Sequence, residues 1–184
     1  ANGLDQNILD PEAYQRGLDA MEEFAEAAHS HAAEAVHCGA TSAVREAKNG
    51  SDWCRDVRRL TGIRVRVISG QEEGRLIYLG ARTDLDFSRG KVLLMDLGGG
   101  STEFILCDSE RPHHIASIPL GHIRLADAFH RDDPMSQKAY NAMKKQVKEL
   151  LAPLAESIAP RDFHTLVGTA GTIRSLARIA TLAR

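Results

Sequence analysis

With 184 residues, 43% hydrophobic and 26% charged, the chain has the composition of a folded globular protein and length for one large domain or two small ones, which excludes a disordered polymer. Its 23 Lys and Arg nearly balance 25 Asp and Glu, so no basic excess marks a nucleic-acid binder, and a polyanionic ligand has to be captured by local geometry. The three cysteines, Cys38, Cys54 and Cys107, form no CxxC pair, no stretch reaches the roughly 20 apolar residues of a membrane span, and no signal-peptide core is visible, which together point to a reduced, cytoplasmic setting.

From Pro11 to about His31, Leu18, Met21, Phe24, Ala25 and Ala28 recur at helical spacing behind Asp10 as N-cap and Pro11 at the first helical position, predicting an amphipathic helix. Glu34 to Ala40 reads as a short buried strand, Thr41-Ser42 opens a helix to Ala47, and Asp52 to Leu60 reads as another helix. Ile63 to Ser69 alternates apolar and basic residues like a strand with one buried face, Glu72 to Leu79 reads as helical, and the polar run Asp84 to Gly90 is placed at a domain boundary. Lys91 to Asp96 and Ser101 to Cys107 are expected to pair as a hairpin around three glycines. Asp108 to His114 is expected as a turn, and Ile115 to Leu120 as a third antiparallel strand. Helices are expected at Ile123 to Phe129, Ser136 to Ile158 and Gly171 to Leu182, with a strand at Thr165 to Val167.

The segment DLGGGSTE, Asp96 to Glu103, sets three glycines between two strands with a carboxylate at each end. Backbone N–H groups can approach an anion there because no Cβ intervenes and unusual backbone angles are open, while the carboxylates can converge on one metal or water. The alternative is a glycine-rich hairpin with solvated carboxylates. GTAGT, Gly168 to Thr172, follows a strand and opens a helix whose N-terminus attracts phosphate; capping alone explains the same residues. SGQEEGRL, Ser69 to Leu76, places Glu72 and Glu73 in a first helical turn, where acidic residues are ordinarily solvated and favoured by the helix dipole.

In order, ISGQEEGRLIYLG, DLGGGSTE, IPLGHIRL and GTAGTIRSLARI closely resemble the exopolyphosphatase and guanosine-pentaphosphate phosphohydrolase (Ppx/GppA) family, and ATSAVREA is similar to a further segment of it. The resemblance implies an α/β fold of the actin, sugar-kinase and heat-shock-chaperone superfamily. Two ribonuclease-H-like domains with mixed sheets flanked by helices are implied, residues 1–85 being the later part of the first and 86–184 most of the second. The first domain would lack its N-terminal strands and the second its C-terminal part; the family's leading phosphate loop is not matched, so the chain is read as an internal fragment, inactive alone.

By the same resemblance, Glu73 matches the glutamate that activates water, and Asp96 and Glu103 match carboxylates associated with Mg2+. Gly98, Gly99, Gly100 and Ser101 match one phosphate loop, Gly168, Thr169 and Gly171 a second, and Thr41, Ser42 and Arg45 a phosphate-facing segment. Arg124 is a secondary candidate, with structural pairing as its alternative. Gly74 stands where alanine is usual, at a cost in helix propensity. The implied activity is release of terminal orthophosphate from inorganic polyphosphate, or from guanosine pentaphosphate, by a protein that pairs as a homodimer at full length. A phosphotransferase, a non-catalytic alarmone or nucleotide sensor and an interaction domain are the rivals. His29, His31, His113 and His114 are read as surface histidines and Trp53 as core.

Overall fold

The structure is a computed structural model that describes residues 7–130 and 133–182. Contacts divide the chain into two compact units, one ending at Ser69 and the other beginning at Gly70.

In the first unit, helix α1 (Pro11–Ser30) starts as expected: Asp10 Oδ1 accepts the Ala13 N–H at 2.9 Å, satisfying one of the orphan donors of the first turn. It packs on α3 (Gly50–Thr61), burying Leu18 and Met21 against Trp53, Val57 and Ile63. Burial of each such side chain is worth roughly 1.5–3 kcal/mol. Trp53 Nε1 donates to the Tyr14 carbonyl at 3.2 Å, and Gly17 admits the indole, because a Cβ there would stand 2.9 Å from Nε1. Gly62, at φ +73°, ends α3 in the left-handed conformation that glycine tolerates. Phe24, expected in the core, is 63% exposed. The two strands β1 (Cys38–Ala40) and β2 (Val65–Val67) are shorter than their sequence stretches, pair in parallel with Cys38 opposite Val65, and flank the short helix α2 (Ser42–Glu46). The alternation at Ile63 to Ser69 fails at its end: Val67 is 44% exposed, whereas Ile68 is buried.

The second unit opens with helix α4 (Gly70–Ala81), followed by strands β3 (Val92–Leu97), β4 (Thr102–Cys107) and β5 (Pro112–Ile118). Helices α5 (His122–Phe129) and α6 (Gln137–Ile158) and a 3-10 turn at Ala159–Arg161 come next, then β6 (Thr165–Thr169) and α7 (Ala170–Leu182). The sheet order is β5-β4-β3-β6, with β4 antiparallel to both neighbours and β6 parallel to β3. Because strand side chains alternate between faces, Val92, Leu94, Ile105, Cys107 and Ile115 meet Ile77, Tyr78 and Ala81 of α4 on one face. Leu93, Phe104, Leu106 and Ile118 meet Leu151, Leu154 and Ile158 of α6 on the other. The result is a mixed sheet flanked by helices, as the resemblance implied.

The division after Ser69 falls earlier than the boundary read at 85. The apolar side of α4 packs on the second sheet, and Leu85 and Phe87, inside the polar run taken for a linker, join the same cluster. His113 and His114 also depart from expectation, being half-buried on β5 rather than in a turn: His113 Nε2 pairs with Asp108 Oδ2 at 2.5 Å, and His114 Nε2 lies 3.3 Å from Ser157 Oγ. His29 and His31 are exposed and Trp53 is buried, as read. Among the described residues no helix is long and apolar enough to cross a membrane.

Candidate active site

Strand register builds the site. Asp96 on β3 stands opposite Glu103 on β4, Glu103 opposite Ser117 on β5, and Asp96 opposite Thr169 on β6. Paired residues share a face, and by alternation this is the face of Val92, Leu94, Ile105 and Cys107, toward α4. One polar row, Ser117–Glu103–Asp96–Thr169, therefore crosses all four strands beyond the apolar cluster. Thr169 Oγ1 donates to Asp96 Oδ2 at 2.6 Å, and Ser117 Oγ donates to Glu103 Oε1 at 2.7 Å. The Thr169 hydroxyl, expected on phosphate, is thus committed to a carboxylate.

Glu103 is 1% exposed. Burial pushes its carboxyl above the usual glutamate range; the Ser117 and Ser101 hydroxyls pull it back, and the nearby Glu73 and Asp96 carboxylates add repulsion. Strand pairing brings Asp96 and Glu103 together, and Glu73 is near enough to act on Glu103 electrostatically. Glu72 is held instead by Arg75, whose Nε and Nη2 reach its two oxygens at 2.8 and 3.0 Å.

Among the described residues no group of three or more His, Cys, Asp or Glu side chains forms a ready metal cage. Mg2+ does not require one, since it binds through one or two carboxylates and keeps waters and substrate oxygens. Asp96 and Glu103 fit that pattern: Thr169 anchors one oxygen of Asp96, the Ser117 and Ser101 hydroxyls hold Glu103, and the repulsion between the two carboxylates is of the kind a cation relieves.

The first glycine loop is held from behind by α5. The N–H groups of His122, Ile123 and Arg124 donate to the carbonyls of Gly98 and Gly99 at 3.0 to 3.2 Å, and Arg124 Nε donates to the Gly100 carbonyl at 2.9 Å. Arg124 therefore clamps the loop, the structural alternative weighed for it. With the carbonyls engaged, the Gly99 and Gly100 N–H groups have no acceptor among the described residues. None of these three glycines has a positive φ, contrary to the expectation of unusual backbone angles; for Gly99 the reason is space. A Cβ on Gly99 would lie 2.9 Å from Ile123 Cδ1, and one on Gly121, the residue before α5, 2.1 Å from the Gly99 carbonyl oxygen.

In the second loop Gly168 ends up within β6 and Gly171 in the first turn of α7, with open space where its Cβ would stand. The left-handed backbone falls on Ala170, at φ +69°, a strained value for a residue with a Cβ. His122 Nδ1 lies 3.0 Å from both the Gly98 carbonyl and the Thr172 hydroxyl, tying the two loops together. Between them lies a pocket of about 570 Å3 lined by Leu97, Gly98, Gly99, His122 and residues Ala170 to Thr172, with Ser175 and Leu176.

Thr41, Ser42 and Arg45 lie around α2 in the first unit. Ser42 is buried with its hydroxyl on Glu46 Oε1 at 2.7 Å, Arg45 Nη1 donates to the Ile68 carbonyl at 2.9 Å, and Thr41 caps α2 without a side-chain hydrogen bond. Sequence reasoning missed Ser117, Gly121 and His122. Gly121 and His122 lie within IPLGHIRL, but only the approach of α5 to the loop singles them out, and only the length of β5 singles out Ser117.

Comparison with known proteins agrees with this arrangement. The profile described as "Ppx/GppA phosphatase family" matches residues 1–184. The chain is 32% identical over 180 residues to the "Guanosine-5'-triphosphate,3'-diphosphate pyrophosphatase" of Aliivibrio fischeri, covering 97% of this chain and 36% of that protein. The protein of the same description from Vibrio vulnificus is also 32% identical with the same coverage, so the chain spans little more than a third of these curated relatives. Among solved structures, an exopolyphosphatase from Cytophaga hutchinsonii superposes with a TM-score of 0.91 at 32% identity, covering 97% of this chain and 57% of that one. A PPX-GPPA enzyme from Aquifex aeolicus superposes with a TM-score of 0.71 at 27% identity, covering 95% and 56%. On its two glycine loops, its carboxylate row and a profile match along its whole length, the chain belongs to the Ppx/GppA phosphatase family.

Proposed function

We propose that the second unit carries the hydrolytic centre of a phosphoanhydride hydrolase, which at its natural length releases terminal orthophosphate from inorganic polyphosphate. The observation that carries this reading is the pairing of Asp96 with Glu103, with Glu73 near enough to act on Glu103, beside a loop whose Gly99 and Gly100 N–H groups have no acceptor among the described residues. Phosphoryl transfer to water needs a positioned nucleophile, a proton acceptor and donors for the phosphoryl oxygens. Glu73 accepts the proton of the attacking water as its oxygen bonds to the terminal phosphorus; the bridging P–O bond breaks and the shortened chain leaves. Glu72, paired with Arg75, is the poorer acceptor. The loop N–H groups and those at the head of α7 hold the terminal phosphates. Mg2+ on Asp96 and Glu103 would supply neutralisation of phosphoryl charge.

A second reading, guanosine pentaphosphate as substrate, is favoured by the pocket of about 570 Å3 between the loops, because its Leu97 and Leu176 walls suit a nucleoside better than a bare phosphate chain. Three free cysteines support a reduced, cytoplasmic setting for either substrate. The test is orthophosphate release by the protein at its natural length, from long-chain polyphosphate and from guanosine pentaphosphate, with and without Mg2+. Mg2+-dependent release is expected, and the faster substrate names the branch. Binding of either compound without release would overturn hydrolysis in favour of a sensor.

A further inference from the structure

The polar row ends on Ser117, a residue that no sequence motif singles out. Ser117 stands in register with Glu103, and its Oγ donates to Glu103 Oε1 at 2.7 Å. Its other contact is with α4: a Cβ built on Gly70 would lie 2.3 Å from Ser117 Cβ and 2.5 Å from Oγ. One helical turn on, a Cβ at Gly74 would lie 2.5 Å from Ile115 Cγ2, and Ile115 shares the Ser117 face of β5. Gln71 Nε2 also donates to the Ile115 carbonyl at 2.7 Å. The turn of α4 that carries Glu72 and Glu73 therefore rides directly on β5, with no side chain of its own between Gly70 or Gly74 and the strand.

We infer that Ser117 is a positioning residue for the carboxylate centre, its hydroxyl aiming the buried Glu103 and its Cβ, seated on Gly70, setting the distance at which α4 holds Glu73. This rests on the reading of Glu73, Asp96 and Glu103 as the reacting centre. It connects two carboxylates from different elements through one side chain, so a change at position 117 moves both. Residues that orient a metal-binding carboxylate typically change metal affinity or turnover by about 10–100-fold when replaced.

Four variants of the protein at its natural length test it: Ser117→Ala, Ser117→Gly, Gly70→Ala and the double variant Gly70→Ala with Ser117→Gly. Mn2+ affinity is read by electron paramagnetic resonance, stability by thermal midpoint, and turnover by orthophosphate release. Ser117→Ala is expected to weaken Mn2+ binding and lower kcat by roughly 10–100-fold, with KM changed less than about threefold and the midpoint nearly unmoved. Gly70→Ala is expected to lower the midpoint. Adding Ser117→Gly is expected to restore it to that of Ser117→Gly alone, because the colliding Cβ and Oγ are gone, while Mn2+ affinity stays low. Parental Mn2+ affinity and kcat in Ser117→Ala would overturn the role of the hydroxyl, and a double variant no more stable than Gly70→Ala would overturn the seating on α4. A parent that releases no orthophosphate would sink the proposed function, whereas the thermal comparison is read independently of turnover.

Discussion

Asp96 and Glu103 face each other directly across the β3–β4 ladder, and each has one carboxylate oxygen held by a hydroxyl from the next strand out, Thr169 Oγ1 at 2.6 Å and Ser117 Oγ at 2.7 Å. Like charges directly opposite in a sheet destabilise it. A protein that keeps Glu103 buried opposite Asp96 maintains a site at the expense of stability, and that exchange is measurable.

Replacing Glu103 by Gln tests it. Burial raises the Glu103 carboxyl above its ordinary value of 4.5. Its contribution to stability is fully present below that value and is lost as pH rises through the raised one, so ionising this side chain weakens the fold. Glu103→Gln is expected to raise the thermal midpoint at pH 7, with the gain vanishing in acid, and to abolish orthophosphate release. A lower midpoint at neutral pH would show that the carboxylate is not a source of strain.

Glu73 and Glu72 are neighbours with different surroundings, since Arg75 holds Glu72 through two hydrogen bonds whereas Glu73 adds repulsion at Glu103. Glu73→Gln is expected to lower kcat on the order of 100-fold or more, and Glu72→Gln less than about fivefold. Initial rates of phosphate release check this, and equal losses would remove Glu73 from the role of base.

Tyr78 packs at 2% exposure between α4 and the sheet, and its hydroxyl is buried with no hydrogen-bond partner among the described residues. An unsatisfied buried donor costs about 1–3 kcal/mol. Tyr78→Phe is expected to stabilise the protein by about 1 kcal/mol in denaturant titration, without altering turnover.

The β4–β5 hairpin carries a pH-dependent anchor. The Arg111 N–H first, and His113 second, depress the Asp108 carboxyl from 3.8 to about 2. Stability from a depressed carboxylate is present above the unfolded value and lost as pH falls through the folded one, so this contribution persists above pH 3.8 and fades toward pH 2. Asp108→Ala is expected to unfold at a lower temperature than the parent at pH 7, with the two melting curves converging near pH 2.

Much of the architecture was legible because its signals are local. Asp10 and Pro11 start α1, and the apolar runs around DLGGGSTE form the expected hairpin. Boundaries slipped where tertiary partners decided them. Pairing with β4 starts β5 at Pro112, inside the expected turn, and the first-unit strands stop where β1 and β2 run out of each other. The polar run 84–90 read as a linker because its few apolar residues, Leu85 and Phe87, follow no period, yet both find the core.

The sequence by itself placed the two glycine turns, because spacing within a strand–turn–strand or strand–turn–helix unit is set by backbone geometry a few residues long, and its resemblance to known motifs pointed to the family. Only the tertiary structure decided that Thr169 and Ser117 complete the row, that α4 belongs to the second unit, and that close approach rather than left-handed backbone requires Gly99 and Gly121. Those outcomes depend on strand register and on helix-to-sheet distance. Both are fixed by contacts between residues far apart in the chain, which leave no periodicity in the sequence to read.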